Sequence, residues 1–364
     1  MMGLLATRTD RSQRQDRPLP HHLFATDGPP GSGPQVDDRD EDDGIHWKQL
    51  LNGLSRRARD LAADITRPPA ADNHPPLPPA APIEYRAIER IVLTDEVSRT
   101  LFEDYATHRA GKRGDEEMGW VLLGLRQSDQ ALALAVLPAT SDRDAGESHV
   151  WITGPAHVLA SRIVRQGDRR LAMLGVVHTH PGSLRHPSRG DWKGDREWVE
   201  QLRGSEGVFG IGTADAELDS ECTPTSFNPK PHMQCLGGLR FSWYTLATGE
   251  ANYRESPVSL TIGPDLAKPL RPIWAEIEDH AERLERLARQ QAKVKFEIAQ
   301  GHDGPALTAT ITLAEPGQAV RVAIEGKVVR YYYEAAGEVF QVDLPDASPD
   351  QGLYLLLAEL AGRE

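Results

Sequence analysis

The most informative stretch of the chain is Val177-His178-Thr179-His180-Pro181-Gly182-Ser183-Leu184-Arg185-His186-Pro187-Ser188-Arg189-Gly190-Asp191. It follows the apolar run 171–177, which has the length of a buried strand. Residues i and i+2 of a strand point to the same side. His178 and His180 are therefore expected to project together from the end of this strand.

Two imidazoles that converge in this way can bind a metal ion. Neutral imidazole is a favoured zinc ligand, and a carboxylate can supply a third position. Asp191 is placed to do so if the loop after His180 folds back. Three protein ligands and a water form the open, catalytic type of zinc site, whereas a fourth fixed protein ligand would make the site structural.

The spacing His-x-His, seven residues, Ser, two residues, Asp resembles the signature of the JAMM (JAB1/MPN/Mov34) zinc metalloproteases. The residues that satisfy this spacing are His178, His180, Ser188 and Asp191. The resemblance covers about residues 85–255, under half of the chain, and it is specific because the whole spacing is present.

The second element of that family is a glutamate that opens a strand of the form Glu-x-Gly-Gly-x-Leu-Leu-Gly. Residues 115–124 read Asp-Glu-Glu-Met-Gly-Trp-Val-Leu-Leu-Gly. Alignment on the strand residues 121–124 assigns the role to Glu117, whereas the Glu-x-x-Gly spacing favours Glu116. We prefer Glu117 because the register of the strand fixes which residue precedes it, and Glu116 stays open.

The resemblance implies a fold, a cofactor and a reaction. The fold is α/β, a mixed sheet flanked by helices that is similar to cytidine deaminases. One catalytic Zn²⁺ would be held by His178, His180 and Asp191, with Glu117 as general base and Ser188 as a donor to the oxyanion. Many family members cut isopeptide bonds of ubiquitin-like modifiers, so a ubiquitin-like protein or its conjugates, with activating or conjugating enzymes, are the expected partners.

The chain divides by composition into three parts. Residues 1–82 hold twelve of the 27 prolines and the acidic run Asp37–Asp43, which predicts a disordered arm with a possible amphipathic helix over 45–66. Residues 83–255 alternate strand and helix patterns and are predicted to form the metalloprotease domain. Residues 256–364 are predicted to form an accessory domain of a helix and several strands.

Charge and hydropathy narrow the classes of partner. The 41 Lys+Arg and 54 Asp+Glu residues give a net charge of −13, which disfavours nucleic acid because phosphate binding needs a basic surface. No run of 18 apolar residues exists, so no membrane partner is expected. The first residues lack an apolar signal-peptide core, so a cytoplasmic location is expected.

The two cysteines are too few for a disulfide framework. Cys222 and Cys235, with His232 between them, leave a second zinc site open, although three candidates are too few for a closed structural site. Ordinary loop cysteines are the preferred interpretation. His186, inside the loop between the ligands, is interpreted as a loop or substrate-facing residue.

Rival functions remain. The chain could be an MPN-like scaffold or binding module without chemistry, although the complete ligand set opposes this interpretation. It could also resemble the DNA-repair-associated JAMM proteins, which the acidic charge disfavours. A zinc deaminase is a third rival, but the His-x-Glu and Pro-Cys-x-x-Cys signatures of that class are missing.

Overall fold

A computed structural model of the chain describes residues 83–138, 154–181, 184–216, 227–302, 304–344 and 346–362. The predicted arm 1–82, with its possible helix at 45–66, lies outside these residues. Within the described ranges, no helix is both long and apolar enough to cross a membrane.

The described residues form fourteen strands and five α-helices. The strands are β1 (Arg90–Thr94), β2 (Gly119–Arg126), β3 (Gln130–Leu137), β4 (Ala172–Thr179), β5 (Glu206–Thr213), β6 (Met233–Leu236), β7 (Leu239–Ala247), β8 (Arg254–Glu255), β9 (Val258–Thr261), β10 (Val294–Gln300), β11 (Pro305–Thr312), β12 (Ala319–Glu325), β13 (Val328–Ala335) and β14 (Glu338–Val342). The helices are α1 (Asp95–Ala110), α2 (Pro155–Gly167), α3 (Arg189–Trp198), α4 (Trp274–Gln290) and α5 (Pro349–Ala361).

The larger sheet is mixed and places β4 at its centre. Its order is β6-β7-β5-β4-β2-β3-β1-β9, and β8 pairs with β7. β4 runs antiparallel to β2 and parallel to β5. Because β4 has a hydrogen-bonded neighbour on both sides, the two histidines that end it are held by a rigid element.

Helices cover both faces of this sheet. Trp120 and Leu122 of β2 belong to a core cluster with α1, whereas Val121 and Leu123 belong to a cluster with α2 and α4. Successive residues of a strand point to opposite faces, so α1 lies on one face and α2 on the other. The predicted mixed sheet flanked by helices is confirmed.

The second sheet is an antiparallel meander in the order β10-β11-β12-β13-β14. One face carries alternating apolar residues such as Leu307, Val322 and Ile324, which belong to the same core cluster as α2 and α4. The C-terminal region is therefore β-rich, as predicted. The domain boundary at residue 255 stays a prediction, and β9 belongs to the larger sheet.

One helix begins earlier than the sequence pattern indicates. Apolar periodicity predicts a helix over 195–203, whereas α3 begins at Arg189 and ends at Trp198. No residue of α3 is buried, so the sequence of this helix carries little of the apolar periodicity from which helices are predicted. Its start is set instead by hydrogen bonds from Ser188, which are described below.

We expect Gly175→Ala to destabilise the fold. Gly175 has a φ of +153°, and a Cβ there would lie 1.8 Å from the carbonyl oxygen of Val208 on β5. The loss should be about 2–4 kcal/mol, from strain and overpacking, measured by urea unfolding. Gly194→Ala is the control, because nothing lies within 4 Å of its Cβ position in α3. That variant should gain up to about 1 kcal/mol in helix propensity, and equal losses in both variants would contradict the expectation.

Candidate metal centre

His178 and His180 lie at the carboxyl end of β4 and are almost fully buried. His178 pairs with Gly119 of β2 on one side and Ile211 of β5 on the other. The backbone N–H of His180 donates to the carbonyl of Gly212 at 2.9 Å, so the pairing continues past the end of the strand. The Nε2 atoms of both rings lie 3.4 Å from the carboxylate of Asp191, a residue of α3.

Asp191 reaches the histidines from the first turn of α3. Ser188 is the N-cap of this helix, and its hydroxyl accepts the N–H of Asp191 at 3.1 Å. The Asp191 carboxylate accepts the N–H of Ser188 in return, which completes a capping box. These two contacts start the helix and turn the carboxylate toward β4.

The three side chains bring their ligand atoms together. The Nε2 atoms of His178 and His180 lie 3.1 Å apart. Each Nε2 is 3.4 Å from a carboxylate oxygen of Asp191. Ligands of a tetrahedral zinc ion lie roughly 3.3–3.6 Å from one another, given zinc–ligand bonds of about 2.0–2.2 Å. Among the described residues, this is the one group of three or more His, Cys, Asp or Glu with such geometry.

The electrostatics of the cluster stabilise its charged forms. Burial alone raises the pKa of Asp191, but the contacts with both histidines and with the Ser188 N–H outweigh burial and hold that pKa well below its usual range. Burial lowers the pKa of His180, yet Asp191, the Leu184 carbonyl and the charge of Glu117 together raise it. The negative charges of Asp191 and Glu117 therefore favour a positive charge between the ligand atoms of the cluster.

Glu117 lies beside His180. The carbonyl of Met118 accepts the N–H of Thr179 at 2.8 Å, and the N–H of Met118 donates to the Thr179 hydroxyl at 2.9 Å. This pairing extends the β2–β4 register toward the amino end of β2, so Glu117 lies opposite His180. The charge of Glu117 raises the pKa of His180. Glu116 instead binds Arg113 at 2.6 Å. The geometry supports Glu117 over Glu116 as the residue at the site.

The remaining sequence candidates lie outside the cluster. His186 is exposed, with its Nδ1 3.1 Å from the Pro187 carbonyl. His232 lies 3.3 Å from Glu255. Cys235 lies in β6 and is disulfide-bonded, so the interpretation as an ordinary loop cysteine is wrong for this residue, and its sulfur is not a thiolate ligand in this structure. Cys222 falls outside the described residues.

Sequence reasoning missed Asp195, which lies one helical turn after Asp191. The hydroxyl of Tyr253 donates to Asp195 at 2.6 Å. Burial raises the pKa of Asp195 to about 6, although the Tyr253 hydroxyl and the charge of His178 lower it. The i, i+4 spacing of the two aspartates was the available signal, but it becomes visible only once the helix is known to begin at Arg189.

Residues 98–223 match a family model described as prokaryotic homologs of the JAB domain. This region is similar to the JAB domain. The match confirms the family resemblance seen in the sequence, and it spans all three residues of the cluster, His178, His180 and Asp191. The family contains metalloproteases and also members without catalysis, so the match does not by itself establish a reaction.

Among solved structures, one that is similar is the solution structure of a protein from Desulfitobacterium hafniense. It shares 17% identity, covers 48% of this chain and 94% of its own, and has a TM-score of 0.32. None of the curated proteins compared with the chain matches it. This similarity is too low to transfer any property from that protein.

We expect Asp195→Asn to stabilise the metal-free protein in a pH-dependent way. The carboxyl of Asp195 is neutral in both states below about pH 3, and between its ordinary pKa of 3.8 and about 6 only the folded state keeps it neutral. Ionisation therefore costs the fold about 2–3 kcal/mol above pH 6. Asn should remove this cost, so the gain should be near zero at pH 3 and about 2 kcal/mol at pH 7.5 in urea unfolding with chelator present.

Asp168→Asn is the control for that experiment. Arg170 holds the pKa of Asp168 below its usual range, so loss of this carboxylate should not stabilise the protein at pH 7.5. A gain for Asp195→Asn that is equal at both pH values would contradict the prediction.

Proposed function

We propose that this chain is a zinc-dependent isopeptidase of the JAMM class, which hydrolyses an amide bond at the C-terminus of a ubiquitin-like modifier. The observation that carries the proposal is the convergence of His178, His180 and Asp191, with Glu117 beside them. The family match supports a JAB-like domain in general. The reaction and the substrate are proposed from the residues of the site and from the family resemblance.

The donor set fits zinc. Two imidazole nitrogens and one carboxylate are the ligands of an open zinc site, and the described residues around them contribute no fourth ligand. The Nδ1 of His180 lies 2.8 Å from the carbonyl of Leu184. A carbonyl oxygen cannot donate, so this Nδ1 has to carry the ring proton, and Nε2 is left with the lone pair that a metal needs.

Each side chain then has a defined task. Bound zinc would supply Lewis acidity toward an amide carbonyl and would lower the pKa of a water. The Glu117 carboxylate takes a proton from the attacking water and passes it to the leaving amine. Ser188 accepts a hydrogen bond from Asp191, so its own hydroxyl proton is left to be donated to the oxygen on which negative charge develops.

The substrate class rests on the resemblance. The chemistry at the site suits an amide, and the family's typical amides join the C-terminus of a ubiquitin-like protein to an amine. An extended C-terminal tail could bind as an added strand beside the site. Activating or conjugating enzymes of the same pathway are the proposed further partners.

The alternative proposal is a non-catalytic scaffold or binding module in a ubiquitin-like pathway. The family match allows it, because some family members lack catalysis. The intact set of ligands and the adjacent glutamate favour the enzyme.

The purified chain should contain about one zinc ion per molecule. His180→Ala should lose this zinc, because two ligands bind the ion too weakly to survive dialysis. His186→Ala is the matched control, since this exposed imidazole lies in the same loop outside the cluster, and it should retain full occupancy in elemental analysis. A zinc-free wild-type protein, after expression with added zinc, would contradict the enzymatic proposal.

Glu117→Gln should keep zinc and lose cleavage. Removal of a general base lowers kcat by about 10²–10⁴-fold, whereas the isosteric amide leaves the fold and the metal ligands in place. The assay would use ubiquitin and small prokaryotic ubiquitin-like proteins, each carrying a C-terminal fluorogenic amide. Glu116→Gln is the matched control and should keep most of the activity. The reverse result would assign the role to Glu116, and a wild type that loads zinc but cleaves no probe would favour the scaffold.

A further inference from the structure

The described segment between the metal-binding residues is tied to the larger sheet at Arg185. The Nε of Arg185 donates to Asp215 at 2.8 Å. The carbonyl of Arg185 accepts the hydroxyl of Tyr244, a residue of β7, at 3.1 Å. Two independent contacts, one from the side chain and one from the backbone, therefore fix the position of this residue.

Asp215 is itself held from the interior of the fold. It lies two residues after the end of β5, and its carboxylate accepts hydrogen bonds from Arg240 of β7 at 2.7 Å and from the hydroxyl of Thr213 at 2.7 Å. The Arg240 side chain is 0% exposed and the Asp215 side chain 11% exposed. Hydrogen bonds between opposite charges are strong when little water competes. Asp215 is therefore a rigid anchor that shares its charge between a buried and a half-exposed arginine.

The anchor acts on a metal-binding histidine through one peptide group. Leu184 precedes Arg185, and its carbonyl receives the Nδ1–H of His180 at 2.8 Å. If Arg185 moves, this carbonyl moves with it. The hydrogen bond made by one ring nitrogen sets the tautomer and the orientation of the other.

We propose that Asp215 and Arg185 are positioning residues for the candidate site. By holding Arg185, Asp215 keeps the Leu184 carbonyl against Nδ1 of His180, so that the ring stays in the tautomer whose Nε2 points to Asp191 and His178. The part concerning zinc rests on the proposed function, whereas the part concerning the ring tautomer does not. Neither residue touches a ligand or substrate in this role.

Arg185→Ala is the variant that tests the proposal. The Arg185 side chain is 39% exposed, so its removal should leave the fold intact and Asp215 still paired with Arg240. Asp215→Ala is less informative, because it would leave Arg240 buried without its carboxylate and could prevent folding. Arg185→Lys is the conservative variant, since a lysine ammonium can still form an ion pair with the carboxylate of Asp215 through a single contact.

Arg170→Ala is the matched control. Arg170 binds Asp168 with an Nη2–Oδ2 distance of 2.8 Å, so this variant also removes an Arg–Asp pair. The Asp168–Arg170 pair lies just before the first residue of β4, whereas His178 lies near the last residue of that strand. Its loss should change neither the zinc affinity nor the histidine signals.

The first measurement is the zinc dissociation constant, by competition with a chromophoric chelator at constant pH. Arg185→Ala should weaken binding by about tenfold, the lower end of the effect of losing an outer partner of a metal-binding histidine, because the Leu184 carbonyl is displaced and not removed. Arg185→Lys should recover part of this loss, and Arg170→Ala should match the wild type. A dissociation constant for Arg185→Ala within twofold of the wild type would overturn the proposal.

The second measurement uses the metal-free protein and does not depend on zinc. Long-range ¹H–¹⁵N spectra of the histidine rings, with the His180 signals assigned by His180→Ala, report which nitrogen carries the proton. The wild type should show the Nδ1–H tautomer for the neutral ring of His180, whereas Arg185→Ala should show a mixture. An unchanged Nδ1–H signal in Arg185→Ala would overturn the positioning role even if the affinity fell.

These results separate the two proposals. A wild type that binds zinc, together with an Arg185→Ala variant of equal affinity and tautomer, rejects the positioning role and leaves the proposed function standing. A wild type that binds no zinc rejects the proposed function and with it the affinity claim. In that case, the spectra alone decide whether Arg185 and Asp215 hold the ring of His180.

Discussion

The candidate site depends on the reciprocal hydrogen bonds between Ser188 and Asp191 at the start of α3. They satisfy two backbone N–H groups that the first turn of a helix leaves unpaired. They also fix the direction of the one carboxylate that can join two histidines held by a different element. The cap fixes the first turn of α3 directly, and the partly buried Trp192 and Trp198 pack the helix against the core cluster that contains Val176 and Phe209.

The two aspartates of α3 lie in contrasting environments. Asp191 faces two imidazoles and a backbone N–H, and its pKa is held well below the usual range. Asp195, one turn later, is partly buried and has the Tyr253 hydroxyl as its partner, and its pKa rises to about 6. Neighbouring carboxyl groups with opposite shifts are common where a protein places charge for function at a cost in stability. The contrast between the two pKa values depends on α3, which places Asp191 and Asp195 on the same face of the helix, one turn apart.

The fold supplies rigidity on both sides of the histidines. β4 is paired along its length with β2 and β5, and helices cover both faces of the sheet. Glu117 approaches from the backward continuation of β2 and Asp215 from the end of β5. β2 and β5 are both hydrogen-bonded directly to the strand of the histidines, so small displacements of one strand are resisted by its neighbours.

Much of the site could be predicted from residue spacing, because the relevant contacts are local. His178 and His180 are two residues apart on a strand, and Ser188 and Asp191 are three apart at a helix start, so short-range geometry determines how each pair points. The strand pattern also predicted the elements of the mixed sheet. The choice between Glu116 and Glu117 depends on the register of β2 against β4, which is a pairing between segments distant in sequence.

Other features were decided by tertiary structure alone. The start of α3 was misplaced because its apolar pattern is weak. The roles of Asp195 and Asp215 were invisible because Tyr253, Arg240 and Arg185 are distant from them in sequence and meet them only after the sheet has formed. By itself, the sequence determined which side chains can act as ligands, since that follows from residue type and local spacing. Only the tertiary structure decided how these ligands are oriented, since burial and long-range hydrogen bonds arise when distant strands pack together.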